Sequence, residues 1–399
     1  MVINHIMTAT QVITNELSTS NIIPEGKNIT ICLCMIVKNE SKIIHRCLES
    51  TKNIVDYISI CDTGSNDGTA KLIRKWCKRN KIPGTVHYEP FKNFSHNRTV
   101  SVNLAKKTYP QATYILLLDA DMILEVDSTF NKSKLVESEY RVYQYNRAVI
   151  YPNTRLIKTS LDWVCTGVTH EYWECTSGPC TKHFLEGIKI DDREDGGSKE
   201  DKFERDKRLL TEAVNDPTTP PNLLTRYLFY LAQTYRDLKD YENAIIWYKK
   251  RIDAQGWEEE VFYSLYQIGL CYESLYHQHQ DDTKLSLALY YYLESWQYRP
   301  SRAEPLYQVA RLYRTCSKHN LAVLYALKAK EIPYPKSDLL FIDFRVYDYL
   351  IHYELSISCY YVQNKRDLGK SCLHYLFNKI NTLPDIIKQT IQHNLKFYV

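Results

Sequence analysis

Short apolar runs alternate with amphipathic stretches from Ile31 onward. Residues 31–38 form a continuous apolar run that ends in charge, which predicts a strand buried on both faces of a sheet. Asp67 and Ser95 are predicted to cap two of the helices that follow. Strands and helices that alternate through short turns predict an α/β fold with a Rossmann-like, mainly parallel sheet. The further elements are strands over 55–62, 85–90 and 113–121, and helices that end near Thr51, Arg79 and Lys107.

The second half of the chain is predicted to be all α-helical and to repeat. Residues 228–251 carry small and bulky apolar positions at the spacing of a tetratricopeptide repeat, a pair of packed helices. The pattern recurs over 265–300, with a longer turn predicted around 277–283, and again over 306–329; a weaker copy contains Tyr360 and Gly369. Packing between repeats explains much of the tyrosine content, 33 residues in 399, and a stacking surface for sugars is the alternative.

These patterns divide the chain into four segments. A polar tail covers 1–29, and an α/β domain covers 30–200, including short β segments over 140–190. A connecting helix and linker cover 201–224, and the helical repeats cover 225–399.

Composition narrows the functional classes. A net charge of +4 without a long Lys/Arg run argues against a nucleic-acid partner. No stretch reaches the roughly 18 apolar residues of a membrane span. The cytoplasm is the expected location, because the N-terminal residues lack the apolar core of a signal peptide. Several cysteines lie on apolar elements, as buried free thiols do in a reducing compartment: Cys32, Cys34, Cys61, Cys271 and Cys359.

Polar residues cluster where the predicted strands end, which is where parallel sheets bind ligands. Asp62 leaves the second strand before a glycine-framed turn and could accept a hydrogen bond from the N–H of a pyrimidine. A plain turn is the alternative. Arg98 lies early in the third helix and could contact a diphosphate or ribose, or could simply be solvated. Lys38, Asn39 and Glu40 follow the first strand.

Asp119 and Asp121 form the strongest of these clusters. At the end of a strand one carboxylate can reach a ribose hydroxyl while the other binds a metal. Hard oxygen ligands suit Mg²⁺ or Mn²⁺ bridging a diphosphate. A D-x-D pair arises often by chance, but three leucines precede this one, and exposing two acids there costs free energy unless they are solvated or bind a cation.

His170 and Glu171 add acid–base chemistry downstream. A sugar transfer that inverts the anomeric carbon needs one general base, usually a carboxylate, and Glu171 is the predicted base. His170 is a candidate contact to metal or diphosphate; a satisfied strand histidine beside an exposed glutamate is the alternative. Lys199 and Lys202 lie in a glycine-containing loop that could close over phosphates and expel water, or could stay solvated.

The motifs together resemble family 2 glycosyltransferases of the GT-A fold. The resemblance rests on MIVKNE (35–40), DTGSNDGT (62–69), NFSHNR (93–98) and LLLDAD (116–121), in this order. Its repeat-fused branch is similar in VTHE (168–171), DGGSKEDKFERD (195–206) and FYLAQTY (229–235). The resemblance covers roughly residues 30–330.

The resemblance implies a UDP-sugar donor and a role for each acidic cluster. Glu40 and Asp62 would contact the uridine, and Arg98 would lie near ribose or phosphate. Asp119 would approach the ribose, and Asp121 would bind the metal.

One position departs from the family pattern. Members often carry a histidine near position 190 as a further metal contact, and this chain has Asp191 and Asp192 there. The third metal ligand is therefore left open between His170 and Asp192.

The expected function is metal-dependent, inverting transfer of a hexosyl or N-acetylhexosaminyl group to a hydroxyl or side chain of an unknown protein or glycan. The repeats would recruit an acceptor or partner protein, or pair two chains. A catalytically inactive scaffold and a nucleotidyltransferase are the alternatives. A composition rich in Asn, Ile, Lys and Tyr suggests an AT-rich genome such as that of a large DNA virus, whose protein would work in the host cytoplasm.

Overall fold

The computed structural model describes residues 28–146, 150–196 and 202–398. These residues form two units. The first contains 28–88, 101–162 and 175–194; the second contains 89–100, 163–174 and the described residues from 195 onward. Two short segments from the first half of the chain therefore group with the helical repeats, which the linear boundaries predicted from sequence do not include. The predicted tail lies outside the described residues except for positions 28 and 29.

An eight-stranded mixed sheet forms the centre of the first unit, and four of its seven pairings are parallel. The strand order is β3-β2-β1-β4-β7-β6-β10-β5, and β8 pairs with β9 in a separate ribbon. The predicted α/β fold with a mainly parallel sheet is confirmed. The strands are β1 (Ile31–Val37), β2 (Tyr57–Asp62), β3 (Gly84–Tyr88), β4 (Tyr114–Leu117), β5 (Met122–Val126), β6 (Glu139–Tyr145), β7 (Ile150–Lys158), β8 (Trp163–Thr166), β9 (Tyr172–Cys175) and β10 (Lys182–Asp192).

Helices α1 (Ile44–Thr51), α2 (Thr69–Asn80) and α3 (Phe94–Thr108) connect the first strands. Ile44 and Leu48 of α1, together with Ile73 of α2, belong to the same apolar core as β1. Burial of each such side chain stabilises the fold by about 1.5–3 kcal/mol. The continuous apolar sequence of β1 follows from its central place, since it has strand neighbours on both sides.

The two predicted helix caps have different outcomes. The Asp67 carboxylate accepts hydrogen bonds from the backbone N–H (3.0 Å) and hydroxyl (2.5 Å) of Thr69, the first residue of α2, while Gly68 occupies the capping position itself. The prediction for Ser95 is wrong. The side-chain oxygen of Asn93 accepts from the hydroxyl of Ser95 (3.0 Å) and the N–H of His96 (2.8 Å), because α3 begins one residue before Ser95.

Helical pairs make up most of the second unit, as the repeat pattern predicted. Helices α5 to α10 form three successive pairs. The helices are α4 (Lys202–Asn215), α5 (Pro221–Asp237), α6 (Tyr241–Asp253), α7 (Glu258–His279), α8 (Asp282–Tyr298), α9 (Glu304–Thr315), α10 (His319–Lys330), α11 (Ile351–Ser358), α12 (Arg366–Asn378) and α13 (Asp385–Leu395).

The predicted long turn around 277–283 is wrong. Helix α7 continues to His279, so the extra residues lengthen the helix instead of the turn. Gln280 then adopts a left-handed conformation, and the Asp281 side chain accepts from the N–H of Thr283 to cap α8. His and Gln are compatible with a helix, so they do not mark where α7 ends. The clearest sequence signal is Asp281, which caps the start of α8.

Most cysteines are buried free thiols, as predicted from the sequence. Of the free cysteines, all but Cys316 are buried, including those singled out from sequence. Cys175 and Cys180 form a disulfide across a five-residue separation, which the expectation of free thiols did not include. Over the described ranges, no helix combines the length and the apolar character that crossing a membrane requires.

Substitution of Gly269 by alanine is expected to destabilise the repeats. A Cβ at this position in α7 would lie 2.6 Å from the ring of Tyr292, which is fully buried. The helix preference of alanine favours the variant by about 1 kcal/mol, but overpacking costs about 1–3 kcal/mol. Urea unfolding should therefore show a net loss. Ser274→Ala on the same helix is the control, because its hydroxyl bonds only the Leu270 carbonyl. A Gly269→Ala variant more stable than wild type would contradict the packing described.

Candidate functional site

Strand register brings the predicted acids to one edge of the sheet. Asp62, the last residue of β2, lies opposite Val37 of β1. On the other side of β1, Cys34 lies opposite Leu117 of β4. If this register is extended by three residues, Ala120 lies beside Val37. The turn 119–121 is then level with Asp62. Because these strands are parallel, all their carboxyl ends face the same edge.

Asp62 is buried, with 1% of its surface exposed. One carboxylate oxygen, Oδ1, accepts from the N–H groups of Gly64 (3.0 Å) and Ser65 (2.7 Å). The other, Oδ2, has no hydrogen-bond partner among the described residues. A buried carboxylate oxygen without a donor costs free energy. This oxygen is therefore a candidate acceptor for an N–H or O–H group from outside the described residues.

Hydrogen bonds join the turn after β1 to the turn after β2 and fix the surroundings of Asp62. Asn39 adopts a left-handed conformation (φ +57°), which folds Glu40 back into a buried position. The two turns therefore form one rigid shelf. The bonds are Asn39 N to Ser65 Oγ (2.9 Å), Asn66 N to Asn39 Oδ1 (2.9 Å), Glu40 N to Thr69 Oγ1 (2.8 Å) and Ser41 N to Asp67 Oδ2 (2.9 Å).

Asp121 and Asp192 form an acidic pair at the other end of this edge. Antiparallel pairing of β5 with β10 places Asp192 opposite Met122, next to Asp121. Desolvation and then the negative charge of Asp121 raise the pKa of Asp192 to about 6. Asp191 points to the opposite face, where it pairs with Arg193 at 2.6 Å. The two crowded carboxylates offer hard oxygen ligands to a cation.

A metal would need ligands beyond this acidic pair. Within 28–146, 150–196 and 202–398, no three His, Cys, Asp or Glu side chains are grouped as a metal site. Water and diphosphate oxygens usually complete such sites for Mg²⁺.

Arg155 and Gln144 connect the acids, and residue-by-residue sequence reasoning missed both. Arg155 is buried and donates to Gln144 Oε1 from Nε (3.0 Å) and Nη2 (2.7 Å). Its Nη1 lies 3.8 Å from Asp119 Oδ2, and Gln144 Nε2 donates to Asp192 Oδ2 (3.4 Å). The sequence held one signal, a charged residue beside the apolar Leu156 and Ile157 in a strand.

Arg98 and Glu171 are in direct contact in the second unit. Arg98 Nε lies 2.6 Å from Glu171 Oε1, and each side chain is 17% exposed. The predicted phosphate contact and the predicted base are therefore an ion pair. Their proposed roles toward substrate stay predictions, but the pairing shows that Arg98 orients the glutamate.

His170 also belongs to the second unit, whereas the acidic pair belongs to the first. Its ring stacks on Tyr230, with centroids 3.9 Å apart. Desolvation of the ring lowers the pKa of His170 to about 3, and the positive charges of Lys202 and Arg226 contribute. The histidine is therefore neutral at neutral pH. Lys202 is exposed at the start of α4, whereas Lys199 lies outside the described residues.

Asp206 is a buried acid that the sequence reasoning quoted within a motif but gave no role. Burial raises the pKa of Asp206, although the charges of Arg205 and Lys202 and the nearby Thr169 side chain oppose this rise. Asp206 thus places helix α4 beside the turn that carries Glu171.

Comparison with known proteins identifies part of the chain. Residues 32–188 match the family model described as glycosyl transferase family 2. A TPR repeat-containing protein of Synechococcus elongatus is 34% identical over 97 residues, which make up 24% of this chain and 22% of that protein. The chain thus spans about a fifth of the length of this curated relative.

Two solved structures resemble the chain only at low TM-scores. S. aureus TarS 1–349 in complex with UDP has a TM-score of 0.34 and 12% identity, with 67% of this chain and 91% of that chain covered. A thermophilic TPR protein of Thermus thermophilus has a TM-score of 0.33 and 16% identity, with coverage of 49% and 91%.

Asp67→Ala is expected to loosen the shelf and to do so in a pH-dependent way. Hydrogen bonds from Thr69 and Ser41 outweigh desolvation and lower the pKa of Asp67 to about 2, from an ordinary value of 3.8. The carboxylate therefore stabilises the fold above the unfolded pKa, and this contribution is lost as the pH falls towards 2. Loss of a capping carboxylate costs about 1 kcal/mol near neutral pH.

Melting temperatures from pH 2 to pH 7 would check this prediction. The difference between wild type and Asp67→Ala should be largest above pH 4 and should shrink towards pH 2. Glu186→Gln, on an exposed strand position, is the control. A difference that is constant with pH would show that the charge of Asp67 does not contribute.

Proposed function

From the match of residues 32–188 to the glycosyl transferase family 2 model, we propose that the protein transfers a sugar from a nucleotide-sugar donor to a protein or glycan acceptor. The observation that carries the proposal is the unpartnered Oδ2 atom of the buried Asp62. An N–H donor on a ligand would satisfy it, and the imide N–H of uracil is such a donor. The donor is therefore proposed to be a UDP-sugar, with Asp62 and Glu40 on the uridine.

The acidic pair fits a divalent cation, Mn²⁺ or Mg²⁺. Two carboxylates that raise the cost of each other's charge are stabilised by a cation between them. Bound by Asp121 and Asp192, it would neutralise charge on the departing diphosphate. His170 is the weaker candidate for third ligand, because Lys202 and Arg226 surround it with positive charge.

Arg155 is proposed to keep Asp119 in place for the ribose. It contacts Asp119 on one side, and Gln144 continues the connection to Asp192. One buried arginine thereby contacts Asp119 directly and Asp192 through Gln144. Lys202, at the start of α4, and Lys199 remain the proposed contacts of the diphosphate.

Glu171 is proposed to take the acceptor proton. The acceptor oxygen forms a bond to the anomeric carbon while the bond from that carbon to the diphosphate breaks, which inverts the carbon. The proton passes to Glu171, and the electron pair leaves with the nucleoside diphosphate. Because Arg98 holds Oε1, the proton would be accepted at Oε2.

The helical pairs are proposed to bind the acceptor protein, a partner or a second copy of the chain, since repeat arrays commonly present binding surfaces. An inactive scaffold predicts no nucleotide binding. A nucleotidyltransferase predicts that a nucleoside triphosphate is consumed and pyrophosphate is released. Both are outcomes of the experiments below.

Asp62→Asn is expected to weaken UDP binding by about tenfold or more, because the amide presents N–H where the ligand also presents N–H, and an unmade buried hydrogen bond costs about 1–3 kcal/mol. The amide oxygen can still accept from Gly64 and Ser65, so the turn should persist. Calorimetric titration of UDP, with and without MnCl₂, would measure the effect. UDP binding of unchanged affinity in the variant would remove the uridine assignment.

Asp121→Asn is expected to lose the turnover that the metal stimulates, while its fold stays intact. The readout is UDP release from UDP-glucose, UDP-galactose and their N-acetylhexosamine counterparts, with MnCl₂ or EDTA. Removal of the metal should lower the wild-type rate by about 10³-fold or more, since a Lewis acid supplies several kcal/mol to the transition state. Asp191→Asn is the matched control, because Asp191 pairs with Arg193. Full metal-dependent turnover by Asp121→Asn would overturn the metal assignment.

A further inference from the structure

The turn 168–172, here called the base turn, carries the proposed base Glu171 and connects strands β8 and β9. His170 adopts a left-handed conformation (φ +50°), and Gly167 before the turn also has a positive φ (+112°). For a residue other than glycine, this conformation costs about 1–2 kcal/mol. Neighbouring contacts must therefore hold the turn in its observed shape.

Helix α5, the first helix of the repeats, supplies several of these contacts from one face. Tyr227 Oη accepts from the N–H of Val168 (3.2 Å). Arg226 Nη2 donates to the carbonyl of His170 (2.7 Å). Tyr230, one turn further along α5, stacks on the His170 ring with the two planes 6° apart.

The guanidinium of Arg226 is itself held between two rings. Its central carbon lies 5.3 Å from the ring centre of Tyr172 and 4.9 Å from that of Tyr230. Cation–π contacts of this kind fix a guanidinium and direct its N–H groups. The hydrogen bond to the His170 carbonyl is therefore formed by a side chain with little freedom.

Helix α3 contacts the same turn. Arg98 of α3 holds the Glu171 carboxylate, and Phe94 N donates to the Val168 carbonyl (3.4 Å). Three backbone groups that precede Glu171 are thus fixed, namely Val168 N–H, the Val168 carbonyl and the His170 carbonyl, and the Glu171 carboxylate is fixed separately.

We propose that Arg226 and Tyr227 are positioning residues for Glu171, so that the first repeat helix is part of the transfer machinery and not only a recruitment surface. The inference rests on the proposed function. A shift of about 1 Å in a reacting group lowers a rate by about 10²-fold. Loss of these contacts should therefore lower kcat and leave donor binding unchanged, because neither Arg226 nor Tyr227 is among the residues proposed to bind the donor or its cation.

The test uses the full chain, with UDP-glucose and UDP-N-acetylglucosamine as donors, MnCl₂ present and UDP release as the readout. Tyr227→Phe removes one oxygen and should lower kcat by about tenfold, and Arg226→Met by about 10²-fold. Arg226→Lys, which keeps a donor, should recover part of the loss. KM for the donor and calorimetric affinity for UDP should stay within about twofold of wild type.

Two matched variants separate positioning from general destabilisation. Tyr248→Phe alters another buried tyrosine of the repeats, whose hydroxyl has no hydrogen-bond partner among the described residues. Arg236→Met alters an arginine of α5 that pairs with Asp237 and Gln267 instead of the base turn. Neither should lower kcat once folded protein is counted.

The outcomes distinguish this inference from the function on which it rests. A wild-type protein that neither binds UDP nor releases it from either donor would defeat both. Wild-type turnover with unchanged kcat in Tyr227→Phe and Arg226→Met would overturn the inference alone. A fall in kcat equal to that of Arg236→Met would also overturn it.

Discussion

Negative charge held away from water is the constraint on which the rest of the α/β unit depends. A carboxylate that leaves water loses hydration, and it must regain that free energy from donors, a cation or a proton. Asp62 regains part of it from two backbone N–H groups, and Asp119 has the guanidinium of Arg155 nearby. Asp192 instead shows a raised pKa. In the proposed function, a ligand that brings an N–H donor and a cation would complete the electrostatics of this sheet edge.

The fold class and the acidic edge were predictable because local patterns encode them. Apolar runs of strand length and helical periodicity can be recognised in a single sequence, and the carboxyl ends of parallel strands lie at one edge of the sheet. The exact ends of the helices were harder to predict. Helix α7 runs through polar residues that favour neither state strongly, and Asn93 displaced Ser95 as the cap by a shift of two positions.

Contacts between distant residues were not predictable from the sequence. Arg98 and Glu171 are 73 residues apart, and each looked like an independent functional group. Their ion pair adds an orienting contact to the glutamate, while the predicted contact of Arg98 with ribose or phosphate stays a prediction. The link from Arg155 through Gln144 to Asp192 escaped notice for the same reason, since strand order decides it and the order β4-β7-β6-β10 does not follow the sequence.

The base turn also has a consequence for synthesis on the ribosome. Arg226 follows His170 by 56 residues. At about 5–20 residues per second, the chain spends roughly 3–11 seconds between the emergence of the turn and the emergence of its anchor. During that interval the strained backbone at His170 lacks the contacts that α5 supplies. The nascent α/β segment therefore passes through a stage in which its strands can pair while the base turn still lacks its anchor in the first repeat helix.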